Sequence, residues 1–117
     1  MRIAVVGTCA SGKSTVVAAL RQRGFDAFVV SQEHSIVHDL WNHQNPDVLV
    51  YLDVEYQTVQ ARRGTAWPRW IYDEQIERLH DARSRANVNV DTGTLSLDET
   101  VARIIEVVDP PASSEPR

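Results

Sequence analysis

The sequence predicts an α/β domain, a small three-layer sandwich in which a four-stranded parallel sheet carries helices on both faces. Three observations point there. Short apolar or β-branched runs alternate along the chain with stretches of helical period. A length of 117 residues suits one folded unit with one core. The first apolar run, IAVV, leads straight into GTCASGKST (Gly7–Thr15), a glycine-bounded turn that opens onto a helix. Strands and helices in alternation bury both faces of a parallel sheet.

The elements follow in order. Strand one is Arg2–Val6, closed by Gly7. A helix runs from Gly12 to about Gln22, with Val16, Val17 and Leu20 inward and Gly24 placed to end it. Strand two is Ala27–Val30. Roughly Glu33–Trp41 sets Ile36, Val37, Leu40 and Trp41 on one side and reads as a second helix, stopped by Asn45-Pro46. Strand three, Val48–Leu52, ends at Asp53, and a helix of about Val54–Arg63 stops before Gly64. A further helix over about Tyr72–Ala86 stripes Tyr72, Ile76, Leu79 and Ala86. Strand four is Val88–Val90, with Gly93 in the turn beyond it. Ser96 and Glu99 then make a capping box for a helix whose Leu97, Val101, Ile104, Ile105 and Val108 form one apolar stripe. Residues 109–117 are proline-rich and read as a disordered tail, leaving 1–108 as the one folded domain.

Composition narrows the function classes. A net charge of −4 and a pI near 5.5 argue against general nucleic-acid or anionic-membrane binding. The single cysteine, Cys9, excludes an internal disulfide, and no Cys/His spacing of zinc-finger type is present. The apolar runs are far short of the ~20 residues of a membrane span. No signal peptide is read, since strand-like residues begin at Arg2, so a cytoplasmic location is expected. The twelve Lys and Arg residues include one lysine, Lys13, and it lies in the glycine-bounded turn. There a compact, flexible ammonium suits the task better than a guanidinium.

The turn has the spacing Gly-x4-Gly-Lys-Ser: Gly7, Gly12, Lys13, Ser14. Its glycines let successive N–H groups turn inward into an anion nest, which spans Thr8, Cys9, Ala10 and Ser11 and continues to Thr15. The helix that starts near Gly12 adds its positive end. In this pattern Lys13 reaches the β- and γ-phosphates and the Ser14 hydroxyl serves Mg²⁺. Cys9 occupies a free position and reads as a small filler.

The stretch MRIAVVGTCASGKST resembles the opening of the P-loop NTPases, in particular the nucleoside-monophosphate-kinase-like branch. VLVYLDVEYQTVQARRG is similar to the strand, short helix and arginines that lead into the lid of those kinases. VNVDTGTLSLDETVARII resembles their final strand and C-terminal helix. Such kinases usually carry one more strand ending in an acid, and an insert that binds the phosphoryl acceptor. Neither has a counterpart between Ser31 and Asp47. Removing that strand from the usual arrangement implies the order 2-1-3-4, with the ligand crevice between strands one and three. The resemblance implies ATP or GTP with Mg²⁺ as ligands, adenine contacts from Asp91–Thr94, and a small phosphoryl acceptor.

Two acids compete for the metal side. Glu33 follows strand two and is favoured for the metal-water or acceptor side, although it also fits as a first-turn acid of a helix. Asp53 ends an apolar strand as a Walker B acid does, and equally fits as a helix N-cap. His34 and His38 share a helical face, but no third ligand accompanies them. Among the arginines, Arg62, Arg63 and Arg69 bracket GTAWPRW and are the candidate lid groups for the charge that spreads over a transferring phosphoryl. Arg78, Arg83 and Arg85 read rather as residues of a solvated helix, Arg78 and Arg85 as i,i+4 partners of Glu74 and Asp81. Trp67 and Trp70 either cover a base or pack the lid.

The reading is therefore an ATP–Mg²⁺ phosphotransferase, kinase-like, acting on a nucleotide or small molecule. The alternative is a nucleotide-binding module or slow NTPase that lacks its own acceptor site. A structural domain with a vestigial loop is disfavoured by the intact Lys13 and Ser14. Association with a second copy is one way to complete the acceptor cleft.

Overall fold

Residues 2–7 contain no polar side chain between Arg2 and Gly7, so a strand built from them must be covered on both faces. In the computed structural model, which describes residues 1–64 and 66–109, they form β1 (Arg2–Gly7), and Ile3, Ala4, Val5 and Val6 are fully buried. The other strands are β2 (Asp26–Val29), β3 (Val48–Asp53) and β4 (Val88–Asp91). All pair in parallel in the order β2-β1-β3-β4, as expected. The register sets Val5 beside Val29 and Gly7 beside Leu52, so the loop after β1 emerges next to the end of β3.

Alternation along the strands divides the core in two. On one face Ile3, Val5, Val50, Leu52 and Val90 pack against Val16, Val17 and Leu20 of α1 (Lys13–Gln22) and Val101 and Ile104 of α5 (Leu97–Val108). On the other, Ala4, Val6, Leu49 and Tyr51 meet Leu79 and Ala82. Burial raises the Tyr51 hydroxyl pKa, and the nearby Asp53 carboxylate adds to the effect. The remaining helices are α2 (Tyr56–Arg63), α3 (Arg69–Arg78) and α4 (His80–Arg85).

Two expectations change. The helix read over 33–41 is instead a pair of single 3₁₀ turns, Gln32–His34 and Leu40–Asn42. The cause is Gln32, which is fully buried. Its amide donates to the Val37 carbonyl at 2.7 Å and its Oε1 accepts from the Trp41 N–H at 2.9 Å. Ser35 Oγ accepts from the Val37 N–H at 3.0 Å. These side chains take backbone groups that a helix would have used, and Ile36 is left 80% exposed. The helix read over 72–86 starts earlier, after Pro68, and breaks at Leu79, whose burial against the sheet accompanies the change from α3 to α4. The tail expectation falls, for 110–117, outside the described residues.

Candidate functional site

Gly7 and Gly12 fix the loop between β1 and α1. A Cβ on Gly7 would lie 2.5 Å from Ser11 Oγ and 2.8 Å from the Leu52 carbonyl, so only glycine lets the chain turn there. Gly12 has φ +92°, the left-handed region that glycine enters freely. Between them the Ser11 N–H returns to the Thr8 carbonyl at 3.2 Å. The Cys9 N–H turns outward to Gln75 Oε1 at 3.0 Å.

Lys13 folds back over this loop. Its ammonium donates to the Gly7 and Thr8 carbonyls at 2.9 Å each and lies 2.6 Å from the Glu33 carboxylate. The pair is well covered, the side chains being 11% and 4% exposed. Among the described residues, the buried side-chain polar atoms with no hydrogen-bond partner are Thr8 Oγ1, Ser11 Oγ and Glu33 Oε1. Two sit on the loop and the third is on the acid beside Lys13. Buried polar atoms are nearly always paired, so the free Glu33 oxygen, on an acid that lines the small cavity, is one that a ligand there would pair.

Two cavities flank the loop. One, of about 270 Å³, is lined by Cys9, Ala10, Gly12, Lys13, Ser14, Thr15, Glu33, His34 and Arg63. The other, of about 550 Å³, lies between the loop, α2 and the start of α5, with Ala10, Ser11, Gly12, Thr15, Arg62, Arg63, Thr92, Leu95, Leu97 and Thr100 on its walls. Loop residues and Arg63 border both.

Of the expected lid arginines, Arg62 and Arg63 adjoin the loop. Arg62 clamps it, donating to the Ala10 carbonyl at 2.6 Å and the Thr92 carbonyl at 2.7 Å. Arg69 is elsewhere: it lies over the Tyr56 ring at 5.0 Å and pairs with Asp73 at 3.3 Å. Arg78 and Arg85 pair with Glu74 and Asp81 at i,i+4 spacing. Of the two acids, Glu33 faces the loop lysine, whereas Asp53 is ion-paired with Arg83 at 3.1 Å. For a hard cation that prefers oxygen, the side-chain donors lining the small cavity are the Ser14 and Thr15 hydroxyls and the Glu33 carboxylate. His34 lines this cavity, while His38 lines a separate one with Ile36, Glu74, Glu77 and Arg78.

Two residues not read from the sequence hold the loop. Gln75, nearly fully buried, takes the Cys9 N–H and donates to Cys9 Sγ at 3.3 Å. Thr92 Oγ1 donates to the Ser11 carbonyl at 2.9 Å. A polar residue on an otherwise mixed helix gives no local signal of such a role. Thr92 does fall in the segment expected near the base.

No protein-family model matches the chain, and no curated protein matches it in sequence. Its fold is similar to that of the YorR protein from Bacillus subtilis, a structure in complex with phosphorylated GDP, with TM-score 0.66, 16% identity, and 93% of this chain and 96% of that one covered. It is also similar to shikimate kinase from Aquifex aeolicus, with TM-score 0.62, 16% identity, and coverage of 98% and 100%. The polypeptide therefore has the P-loop kinase-like fold.

Proposed function

We propose that residues 1–108 form a nucleoside-triphosphate-binding domain that transfers a phosphoryl group to a small acceptor. The observation that carries this is the buried Lys13–Glu33 pair on the Gly-x4-Gly-Lys-Ser loop, where Glu33 Oε1 has no hydrogen-bond partner. The Cys9 N–H is spent on Gln75, so the amides that grip the phosphates are those further along, from Ala10 to Ser14. The base and ribose occupy the larger cleft, between Arg62, Thr92 and Leu97.

In this reading Lys13 leaves the Gly7 and Thr8 carbonyls and turns to the β- and γ-phosphate oxygens, where charge develops during transfer. Arg63, which borders both cavities, adds a second cation over the same oxygens. Ser14 and Glu33 are the residues that would hold Mg²⁺, directly or through water. Bound there, Mg²⁺ supplies neutralisation of phosphate charge. On the acceptor side, Glu33 is the carboxylate that this reading assigns to the substrate hydroxyl. Arg62 keeps the loop and the β4–α5 turn together while the ligand is bound. Arg69 has no part in the site as it stands.

A second reading has its own observation. The β2–β3 connection, residues 30–47, carries two 3₁₀ turns and neither an α-helix nor a further strand. It favours a binding module or slow NTPase whose acceptor side is completed by a partner, a second copy of the chain among the candidates. Incubation with labelled ATP or GTP and a panel of nucleotides and small alcohols separates the two. Transfer to an acceptor supports the kinase. Binding without acceptor-dependent turnover supports the module. No helix among the described residues is long and apolar enough to cross a membrane, and we place the activity in the cytoplasm.

A further inference from the structure

Cys9, Glu33 and His34 come together at the mouth of the phosphate loop, with one ligand-type atom from each lying within 4.8 Å of the others. Cys9 Sγ is 3.9 Å from His34 Nε2, and Glu33 Oε2 is 3.8 Å from the same nitrogen. With Zn–N and Zn–O bonds near 2.1 Å and Zn–S near 2.3 Å, the edges of a tetrahedral site are about 3.4–3.6 Å. The three groups thus stand a few tenths of an ångström to about one ångström wide of ligand spacing.

We propose that these residues form a site for a borderline-soft divalent cation of the Zn²⁺ class, bound by the Cys9 thiolate, His34 Nε2 and the Glu33 carboxylate. Two observations beyond proximity point to a ligand. Glu33 is 3% exposed and its Oε1 has no hydrogen-bond partner. The oxygen nearest His34 is Oε2, which also pairs with Lys13, so a cation bound there shares or displaces that ammonium while Oε1 remains free to coordinate. Gln75 grips Cys9 twice, through its N–H and its sulfur, and so fixes the sulfur's position as an outer partner of a metal ligand does. Ligation releases the thiol proton to solvent. Sulfur and imidazole select against Mg²⁺, which takes oxygen.

Three protein ligands leave a fourth position open. All three residues line the cavity that also holds Lys13, Ser14 and Arg63. Glu33 cannot serve this cation and the Mg²⁺ of the proposed function at once, so the two are alternative occupants of the cavity, and the test here is run without nucleotide.

The chain is titrated with Co²⁺ as a spectroscopic stand-in, in the presence of excess Mg²⁺. Because Cys9 is the one cysteine in the sequence, a sulfur-to-cobalt charge-transfer band reports on it alone. The expected result is a saturable band that Zn²⁺ displaces. Cys9→Ser should abolish it, and His34→Ala should weaken Zn²⁺ binding by at least about tenfold, the least that even an outer partner costs. His34 is 59% exposed, so its variant keeps the test open should the cysteine variant fold poorly. A chain with no thiolate band, or Zn²⁺ affinity unchanged in His34→Ala, overturns the proposal.

Discussion

The two sides of the phosphate loop are built differently. Toward β4 and α5, the loop is held mainly through backbone carbonyls: Arg62 takes those of Ala10 and Thr92, and the Thr92 hydroxyl takes that of Ser11. This side leaves a cleft of about 550 Å³. Toward the β2–β3 connection and α3, it is held by buried polar side chains, Gln75 on Cys9 and Glu33 on Lys13, while buried Gln32 holds the connection itself through Val37 and Trp41. Carbonyl clamps tolerate changes of side chain around them. Buried polar side chains do not, because each lost partner strands a group away from water. The first side is therefore a preformed receptacle. On the second, the phosphate contact we propose for Lys13 requires its pair with Glu33 to rearrange.

Lys13→Ala breaks this contrast hardest. It leaves Glu33 buried without a counter-charge, which costs about 3 kcal/mol of stability. It also removes an ammonium that we assign to the phosphates, a loss of about 3 kcal/mol or roughly a hundredfold in triphosphate Kd. Denaturant melts and calorimetry read the two effects separately. The double variant Lys13→Ala/Glu33→Gln should regain most of the stability and none of the affinity. Should Lys13→Ala melt like the parent, the ion pair is not the buried contact described.

Gln32→Ala comes next, with an expected loss of about 2 kcal/mol from stranding the Val37 carbonyl and the Trp41 N–H. Limited proteolysis should then cut within 35–42 before the rest of the chain unfolds. An unchanged cleavage pattern would mean that Gln32 does not hold this segment.

The same contrast explains what could be read in advance. The loop and the capping box are legible because their signals are complete within a few consecutive residues, Gly7 to Ser14 and Ser96 to Glu99. The sheet order followed from a family resemblance carried by those stretches. The 33–41 segment has an apolar pattern compatible with a helix, yet the Gln32 side chain outcompetes it through contacts that periodicity does not register. Gln75 acts on Cys9 across 66 residues of sequence. Arg69 and Asp53 looked like site residues from their neighbours in the chain, but Tyr56 and Arg83 hold them. Side-chain partners chosen in three dimensions are what local sequence leaves out.

Arg62→Ala tests the carbonyl clamp from the other side. Loss of its two hydrogen bonds frees the loop from the β4–α5 turn, and triphosphate affinity should fall about tenfold, equal to roughly 1.4 kcal/mol. Arg69→Ala should leave Kd within about twofold, since that guanidinium is occupied by Tyr56 and Asp73. Equal losses in the two variants would restore a lid role for Arg69.

The smallest effect is expected where the larger cleft meets α5. Leu97 and Thr100 line that cleft, and the helix carrying them begins with the Ser96–Glu99 box. Ser96 Oγ accepts from the Glu99 N–H at 3.1 Å, and Glu99 Oε1 accepts from the Ser96 N–H at 2.9 Å. Ser96→Ala should cost about 1 kcal/mol, a typical cap loss, and leave nucleotide Kd nearly unchanged. The pH dependence belongs to Glu99, whose carboxyl is held below its ordinary value of 4.5, chiefly by the Ser96 backbone hydrogen bond. A depressed acid stabilises the fold fully above its unfolded value and loses that contribution as pH falls through the folded one. The stability gap between parent and Glu99→Gln should therefore persist at neutral pH and narrow as pH drops below about 4.5. Melting curves across that range decide it: a gap that widens in acid would mean that the carboxylate form is not what caps the helix beside the cleft.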